Sequence, residues 1–333
     1  MYKKILVITD NEPDQINGVV TTFKSIESYA INDGYSIVYL DPRQFYHCNC
    51  PSYPEVKLSF PWNIGNKIKK ISPDHIHIAT EGPLGLAARC WMDKWNWKYN
   101  TSYHTKFPEF LKKIYGIPEK FTYRYLKWFH KHSGKVLVTT DTMKKELKDH
   151  GFNSDMISWT RGVDRNKLKP SLVHEKRTDR KPIVLYVGRV SKEKNLGALC
   201  KLQDKYDIRI VGDGPHRKQL EKKYTQVKFL GYQTGEQLAN SYVSADVFCF
   251  PSKSDTFGIV IIEALSLGTP VASYIVPGPI DIIEQGVNGF MCDDLEYSIE
   301  ECLRLNREEV ERSSIKWDWK YCWEIFKDNL IKI

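Results

Sequence analysis

Glu263 is the acid that sits least comfortably in its local sequence. It lies inside an apolar helix start, Ile259–Leu267, within Phe250-Pro251-Ser252-Lys253-Ser254-Asp255-Thr256-Phe257-Gly258-Ile259-Val260-Ile261-Ile262-Glu263-Ala264. A buried carboxylate needs a hydrogen-bonding partner, such as a ribose diol or a backbone amide. The apolar flanks weigh against the plainer reading, a helix-face glutamate in water. Asp255 supplies a second carboxylate on the loop before that helix, across Gly258. Upstream, Gly188-Arg189-Val190-Ser191-Lys192-Glu193-Lys194-Asn195 follows an apolar run. Arg189 and Lys194 flank a turn at a strand's end, where two cations can clamp a diphosphate without a metal. Solvated loop charges are the competing reading of the same two residues.

The first half of the chain offers fewer reactive side chains. His104 stands just past a strand in Ser102-Tyr103-His104-Thr105-Lys106-Phe107-Pro108. A lone histidine is more often structural, but the C-terminal end of a central strand is where an open α/β sheet binds ligands. His77, inside His75-Ile76-His77-Ile78, reads as a pocket-wall or core residue. Gly18, in Gly18-Val19-Val20-Thr21-Thr22-Phe23, lets backbone N–H groups approach an anion at a helix start, and is equally consistent with a plain turn. There is no GxGxxG, GxSxG, Walker loop or metal-ligand helix pair, which argues against hydrolases and P-loop NTPases. Cys48-Asn49-Cys50 is too tight for a zinc pair. No metal site is expected.

These residues need a scaffold, and the apolar runs supply one. Strands are expected at Ile5–Thr9, Ser36–Leu40, His75–Ile78, Thr101–Tyr103 and Lys135–Thr139. The pattern restarts at Ile183–Val187, Ile208–Val211, Val227–Leu230, Val247–Phe250 and Pro270–Ser273. Helical stretches alternate with them, the signature of α/β folds with doubly wound parallel sheets. The polar stretch 166–182 has no apolar run and reads as a linker. The expected architecture is therefore two Rossmann-like domains facing a cleft, 1–165 and 183–315.

The 333 residues, 41% hydrophobic and 27% charged, suit two soluble globular domains. The start, Met1-Tyr2-Lys3-Lys4-Ile5-Leu6-Val7-Ile8-Thr9-Asp10, turns acidic too soon for a signal peptide and reads as a first strand. No apolar run is long enough to span a membrane, and scattered cysteines suit a reducing compartment. The expected location is cytoplasmic, with peripheral placement at the inner face of a membrane as an extension. The net charge of +8 is uneven. Between Lys106 and Lys135 only Glu109 and Glu119 are acidic, and Lys120, Arg124, Lys127 and Lys131 recur at helical spacing. At ~100° per residue they form a stripe ~60° wide. Phe121, Tyr125, Trp128 and His132 form a second stripe, expected to anchor the helix to its domain or to an interface. The basic stripe is either a solvated face or a docking surface for lipid headgroups or nucleic acid.

Taken in order, Asn17-Gly18-Val19, His104-Thr105-Lys106-Phe107-Pro108, Gly188-Arg189-Val190 with Lys194-Asn195, Gly212-Asp213-Gly214-Pro215 and the segment Asp255 to Glu263 resemble the family 4 retaining glycosyltransferases of GT-B fold. Glu81-Gly82-Pro83-Leu84-Gly85 and Arg161-Gly162-Val163-Asp164 are most similar to the subgroup of GDP-mannose-dependent α-mannosyltransferases and sulfolipid-synthase relatives. The resemblance implies a role for each position. Gly18 and Val19 would offer backbone amides to the donor diphosphate, and Arg189 and Lys194 would neutralise it as it leaves. His104 would contact the donor sugar near the scissile bond, and Glu263 the nucleotide ribose. Asp255 holds the place usually taken by glutamate in the family's E-x7-E motif and would meet sugar hydroxyls with a side chain one methylene shorter. The amides of Phe257, Gly258 and Ile259 would face the phosphates or the sugar. Trp323-Glu324-Ile325-Phe326 is similar to the family's last helix, with 316–333 packing back onto the first domain.

The reading that follows is a nucleotide-sugar-dependent hexosyltransferase that retains anomeric configuration and uses no cofactor. GDP-mannose is the donor the subgroup suggests, and the acceptor is a hydroxyl of a glycolipid or glycan. A hydroxylated base in DNA is the alternative acceptor, with the basic helix tracking phosphates. An inactive nucleotide-sugar-binding protein is the second alternative, opposed by the joint presence of His104, Arg189, Lys194 and Glu263.

Overall fold

Ile5, Leu6, Val7 and Ile8 are all fully buried, four consecutive apolar residues on one strand. Such a run fits a parallel strand covered on both faces, since successive side chains point to opposite sides. The computed structural model describes residues 2–15, 17–50, 53–175, 179–253, 255 and 257–333. Ser254 and Thr256 of the carboxylate-bearing loop and Lys176–Thr178 of the expected linker lie outside the described residues. The chain divides into two compact units, residues 1–161 with 319–333, and residues 162–318.

The first unit contains β1 (Lys3–Ile8), β2 (Tyr35–Leu40), β3 (Tyr46–Cys50), β4 (Tyr53–Phe60), β5 (His75–Ile78), β6 (Asn100–Tyr103), β7 (Val136–Val138) and β8 (Met156–Ser158). Its helices are α1 (Gly18–Asn32), α2 (Ile64–Ile71), α3 (Pro83–Trp95), α4 (Phe107–Tyr115), α5 (Glu119–His130) and α6 (Asp141–Asp149). Six strands form a parallel sheet in the order β2-β1-β5-β6-β7-β8, and β3 and β4 pair apart as an antiparallel hairpin. The strand order reverses between β1 and β5, so the loops leaving these strands open a crevice at their C-terminal ends, the usual ligand position in such sheets.

The second unit contains β9 (Ile183–Val187), β10 (Asp207–Val211), β11 (Lys228–Gly231), β12 (Val247–Phe250), β13 (Val271–Ser273) and β14 (Gly289–Met291). Its helices are α7 (Leu196–Cys200), α8 (Arg217–Lys223), α9 (Gly235–Ser244), α10 (Ile259–Ser266), α11 (Pro279–Ile282), α12 (Leu295–Cys302) and α13 (Arg307–Ser313). The parallel sheet runs β11-β10-β9-β12-β13-β14, the dinucleotide-fold order with its reversal between β9 and β12. Ile183, Leu185 and Val187 enter one apolar cluster while Val184 and Tyr186 enter another, so β9 is sandwiched between two cores.

The boundaries differ from those expected. Of the expected linker 166–182, the described part near its start packs on the second unit. Leu168 packs against a core of the second unit, and Asn240 of α9 accepts the Ser171 and Leu172 N–H groups at 2.9 and 3.1 Å. Trp317 also stays with the second unit, against the ring of Phe257. The last helix, α14 (Trp319–Asp328), belongs to the first unit and buries Trp323 and Phe326 there. Asp33 accepts from both Trp323 Nε1 and Lys327 Nζ at 2.8 Å, which ties α14 to the end of α1.

Candidate active site

In the second unit the two loops at the strand-order reversal carry the expected charges. Arg189 and Lys194 lie on the loop leaving β9, and Asp255 on the loop leaving β12. Lys194 Nζ donates to Asp255 Oδ1 at 2.6 Å, with both side chains about a quarter exposed. Asn195 Nδ2 reinforces the junction by donating to the Pro251 carbonyl at 3.2 Å. Burial alone would raise the Asp255 carboxyl, but the charge and hydrogen bond of Lys194, with the Ser252 hydroxyl, hold it below the ordinary aspartate value. Tyr186 Oη donates to the Arg189 carbonyl at 3.0 Å and so fixes the turn that carries that half-buried arginine. The loop leaving β10 presses against this turn. A Cβ on Gly212, at φ 126°, would stand 2.0 Å from the Gly188 oxygen, so glycine is required there.

Gly258 starts α10 from the left-handed region, at φ 97°. The N–H groups of Phe257, Gly258 and Ile259 donate to no described residue, leaving the helix start with donors to offer. The Phe257 ring is buried, edge-on to Trp317 at 5.5 Å, so this residue can meet a ligand only through its backbone. Glu263, in the second turn of α10, has a partner that its neighbours in sequence do not reveal. Tyr242 Oη of α9 donates to Glu263 Oε2 at 2.9 Å. Burial raises the Glu263 carboxyl and this hydrogen bond opposes the rise. A protein hydroxyl thus engages one carboxylate oxygen, Oε2, of the acid expected to meet a ribose diol or a backbone amide. Lys194 and Asp255 are brought into contact, while Glu263 is held separately by Tyr242.

In the first unit the strand-order reversal is occupied by Asp10, an acid directly after β1. Asp10 Oδ2 accepts from Thr80 Oγ1 at 2.7 Å, and Oδ1 accepts from the Leu84 N–H at 2.8 Å, capping α3. Burial pushes the Asp10 carboxyl up to about 6, against the hydrogen bonds of Thr80, Leu84 and Gly85, and the charge of Glu81 adds to the rise. Next to it, Glu81 Oε1 and His130 Nε2 lie 3.4 Å apart, both side chains almost wholly buried. At the start of α1, Asn17 Oδ1 accepts from the Val19 and Val20 N–H groups at 3.1 and 3.0 Å. The Val19 amide expected to face a diphosphate is therefore engaged by the helix cap in this structure.

His104 follows β6. Its Nδ1 lies 2.8 Å from Arg161 Nη2, and its ring packs near Trp159 and Phe23. Burial, with the nearby Arg161 charge and then His77, pulls the His104 pKa well below the ordinary value. His77 is a core residue, as expected, with Nε2 2.8 Å from Ser102 Oγ and its pKa lowered to about 3 by burial. Arg161, Asp10 and Tyr242 are the polar residues that sequence reasoning did not assign. The available signals were an arginine in the run Trp159-Thr160-Arg161-Gly162-Val163 and an acid at a strand's end.

Helix α5 corrects the expected division of labour. Lys120, Arg124, Lys127 and Lys131 are exposed. The core side consists of Thr122, Tyr123, Leu126, Phe129 and His130, which turns Phe121, Trp128 and His132 out of the core. Trp128 lies under the Arg89 guanidinium at 3.7 Å instead, and only Tyr125 is half-buried, its hydroxyl donating to the Glu81 carbonyl at 2.6 Å. The exposed surface is thus basic and aromatic together. Among the described residues no helix is long and apolar enough to cross a membrane, and no group of three or more His, Cys, Asp or Glu could hold a metal ion.

Comparison with known proteins matches each half of the chain. Residues 17–167 match the family model Glycosyltransferase Family 4, and residues 171–304 match Glycosyl transferases group 1. A sulfoquinovosyl transferase of Arabidopsis thaliana is 29% identical over 303 residues, 82% of this chain and 59% of that protein. A GDP-mannose-dependent alpha-mannosyltransferase of Corynebacterium glutamicum is 33% identical over 244 residues, 71% of this chain and 59% of that protein. The matches thus span about three fifths of the length of both relatives. In fold, the chain superposes on sucrose-phosphate synthase from Thermosynechococcus elongatus with a TM-score of 0.79, covering 98% of each chain at 16% identity. With one glycosyltransferase module matched in each half and two Rossmann-like units in the fold, the chain belongs to the family 4 glycosyltransferases of GT-B fold.

Proposed function

We propose that the protein transfers a hexose from a nucleoside-diphosphate donor to a hydroxyl of a glycolipid or glycan, with retention of anomeric configuration and without a metal ion. The observation that carries this reading is the Lys194–Asp255 contact. It joins the two loops at the strand-order reversal of the second unit, on the loop that carries Arg189 and near the N–H groups opening α10 that donate to no described residue. Cations and amide donors gathered there suit a diphosphate, and the negative charge that develops as it leaves is what the site must stabilise. In this reading the bond from the anomeric carbon to the phosphate oxygen breaks with its electron pair staying on the phosphate. The acceptor oxygen bonds to the same face of that carbon, and its proton passes to the departing phosphate. No protein nucleophile is required. Arg189 and Lys194 neutralise the leaving group, Glu263 binds the ribose, His104 contacts the sugar, and Asp255, placed by Lys194, meets sugar hydroxyls.

The sugar and nucleotide follow the relatives' names only in class. One is named for GDP-mannose and the other for sulfoquinovose, which supports a hexose or a hexose derivative and puts GDP-mannose first. The exposed basic and aromatic face of α5 supports an acceptor held at an anionic membrane surface. A panel of nucleotide-sugars scored by release of nucleoside diphosphate tests the reading. One donor should turn over, in EDTA as well as without it. No release from any donor, with acceptor lipids present, would overturn the function; activity lost in EDTA and restored by Mg²⁺ or Mn²⁺ would overturn the metal-free mechanism.

A further inference from the structure

Arg161 is a buried guanidinium, 3% exposed, that makes no ion pair with any described acid. Such a group is costly to bury, so what its donors hold is informative. Nη1 donates to the Trp159 and Thr160 carbonyls at 2.7 and 2.8 Å, and the guanidinium carbon lies 4.6 Å over the Trp159 ring. These contacts fix the plane of the guanidinium. From that plane Nη2 reaches His104 Nδ1 at 2.8 Å.

The chemistry of the pair is one-sided. A guanidinium has only donors, so Nδ1 must present its lone pair, and a neutral imidazole then carries its proton on Nε2. Protonating Nδ1 would set an N–H against the N–H of a cation. Burial and the Arg161 charge disfavour the imidazolium in any case. His77, itself kept neutral by burial, also acts on His104, and the Phe23 and Trp159 rings pack near it.

We propose that Arg161 is a positioning residue that locks His104 as a neutral imidazole with its proton on the buried Nε2, so that His104 stays an uncharged, fixed side chain through the reaction and never serves as a base. Its role in transfer rests on the functional reading above; its protonation state does not. With Nδ1 occupied and Nε2 protonated, His104 cannot accept the acceptor's proton, which must leave with the diphosphate. The lock also predicts that acidification does not convert His104 to a charged group while the chain stays folded.

The test separates the two parts. The intact chain is labelled with ¹⁵N-histidine, and His104 is assigned by the resonances missing from His104→Gln. Two-bond ¹H–¹⁵N correlations then report the tautomer. The wild type should show His104 as Nε2–H, unprotonated at every pH at which the chain is folded. In Arg161→Met, checked for folding by its thermal transition, His104 should become a tautomer mixture or titrate near the ordinary value. An Nδ1–H or charged His104 in the wild type overturns the proposal whether or not the variant folds. So does an unchanged tautomer in folded Arg161→Met. For turnover, His104→Gln and Arg161→Met should each lower kcat, by up to ~10²-fold, and the double variant should be no slower than His104→Gln. Losses that multiply would overturn positioning through His104. Wild-type turnover in both single variants would overturn the role of His104 in transfer while leaving the protonation state supported by the spectrum.

Discussion

Lys194 has two duties that substitution can separate. Its ammonium holds Asp255, and in the proposed function it also meets the diphosphate. Lys194→Ala should cost about 1–3 kcal/mol of stability, because a partly buried carboxylate loses its partner. It should also slow turnover roughly 10²–10³-fold, the scale for removing one preorganised charge stabiliser. In the Lys194→Ala, Asp255→Ala double variant, denaturant midpoints should recover much of the stability while turnover stays low. Recovery of both, or of neither, would argue against the dual role. Arg189→Ala should show a kinetic loss of the same size. Asp10 gives a prediction in pH. Its folded pKa is about 6 against 3.8 for an ordinary aspartate, so between these values the folded chain binds a proton that the unfolded chain does not. On its account stability rises as pH falls from about 7 to about 4, by up to ~3 kcal/mol. Asp10→Asn should lose that slope, read as the difference in melting temperature between the two chains at each pH. The charged loops after β9 and β12 were legible because the sequence puts cations and acids next to apolar runs. The contacts of Tyr242 with Glu263 and of Arg161 with His104 were not, because each joins residues far apart in sequence through the packing of separate elements.

At the scale of elements, buried parallel strands were the readable part. His75–Ile78, Ile183–Val187 and Val247–Phe250 match their expected bounds, and most other central strands shift by a residue or two. The hairpin of β3 and β4 was missed because β3 is exposed along most of its length and carries no alternation to read. The edge strands β8 and β14 are only three residues each, too short for any period. The helix spacing on α5 was right, but its orientation was not readable from spacing alone. Two adjacent stripes of basic and aromatic residues fit equally well with either stripe inward, and the burial of Leu126 and Phe129 decided the matter. The outcome sharpens a prediction. Lys120, Arg124, Lys127 and Lys131 are exposed and make no ion pair with a described acid, so changing all four to Glu should leave the fold intact. Each basic residue near an anionic surface contributes about 1 kcal/mol. The variant should therefore lose binding to phosphatidylglycerol vesicles and transfer to a lipid acceptor, yet keep slow hydrolysis of the donor by water. A parallel fall in hydrolysis would mean the helix is not an acceptor surface, and unchanged transfer would mean it is only a solvated face.

At the scale of the molecule, the two units differ in how the chain builds them. Residues 162–318 are contiguous and carry two apolar clusters of their own. Expressed alone, they should fold cooperatively and bind a nucleoside diphosphate, which calorimetry can measure; a chain that stays unfolded would show that the second unit depends on the first. The first unit is discontinuous, since α14 returns to bury Trp323 and Phe326 against it and to meet Asp33. Synthesis runs from the N-terminus, at roughly 5–20 residues per second. The ribosome must therefore make the whole of 162–318 before it makes the segment that completes what it began with. A nascent chain halted after residue 318 carries a finished second unit behind an unfinished first one whose apolar groove still awaits α14. In that interval the first unit exposes apolar surface that a chaperone could shield, and a proteolytic clip near residue 318 would leave α14 held to it by packing and hydrogen bonds alone.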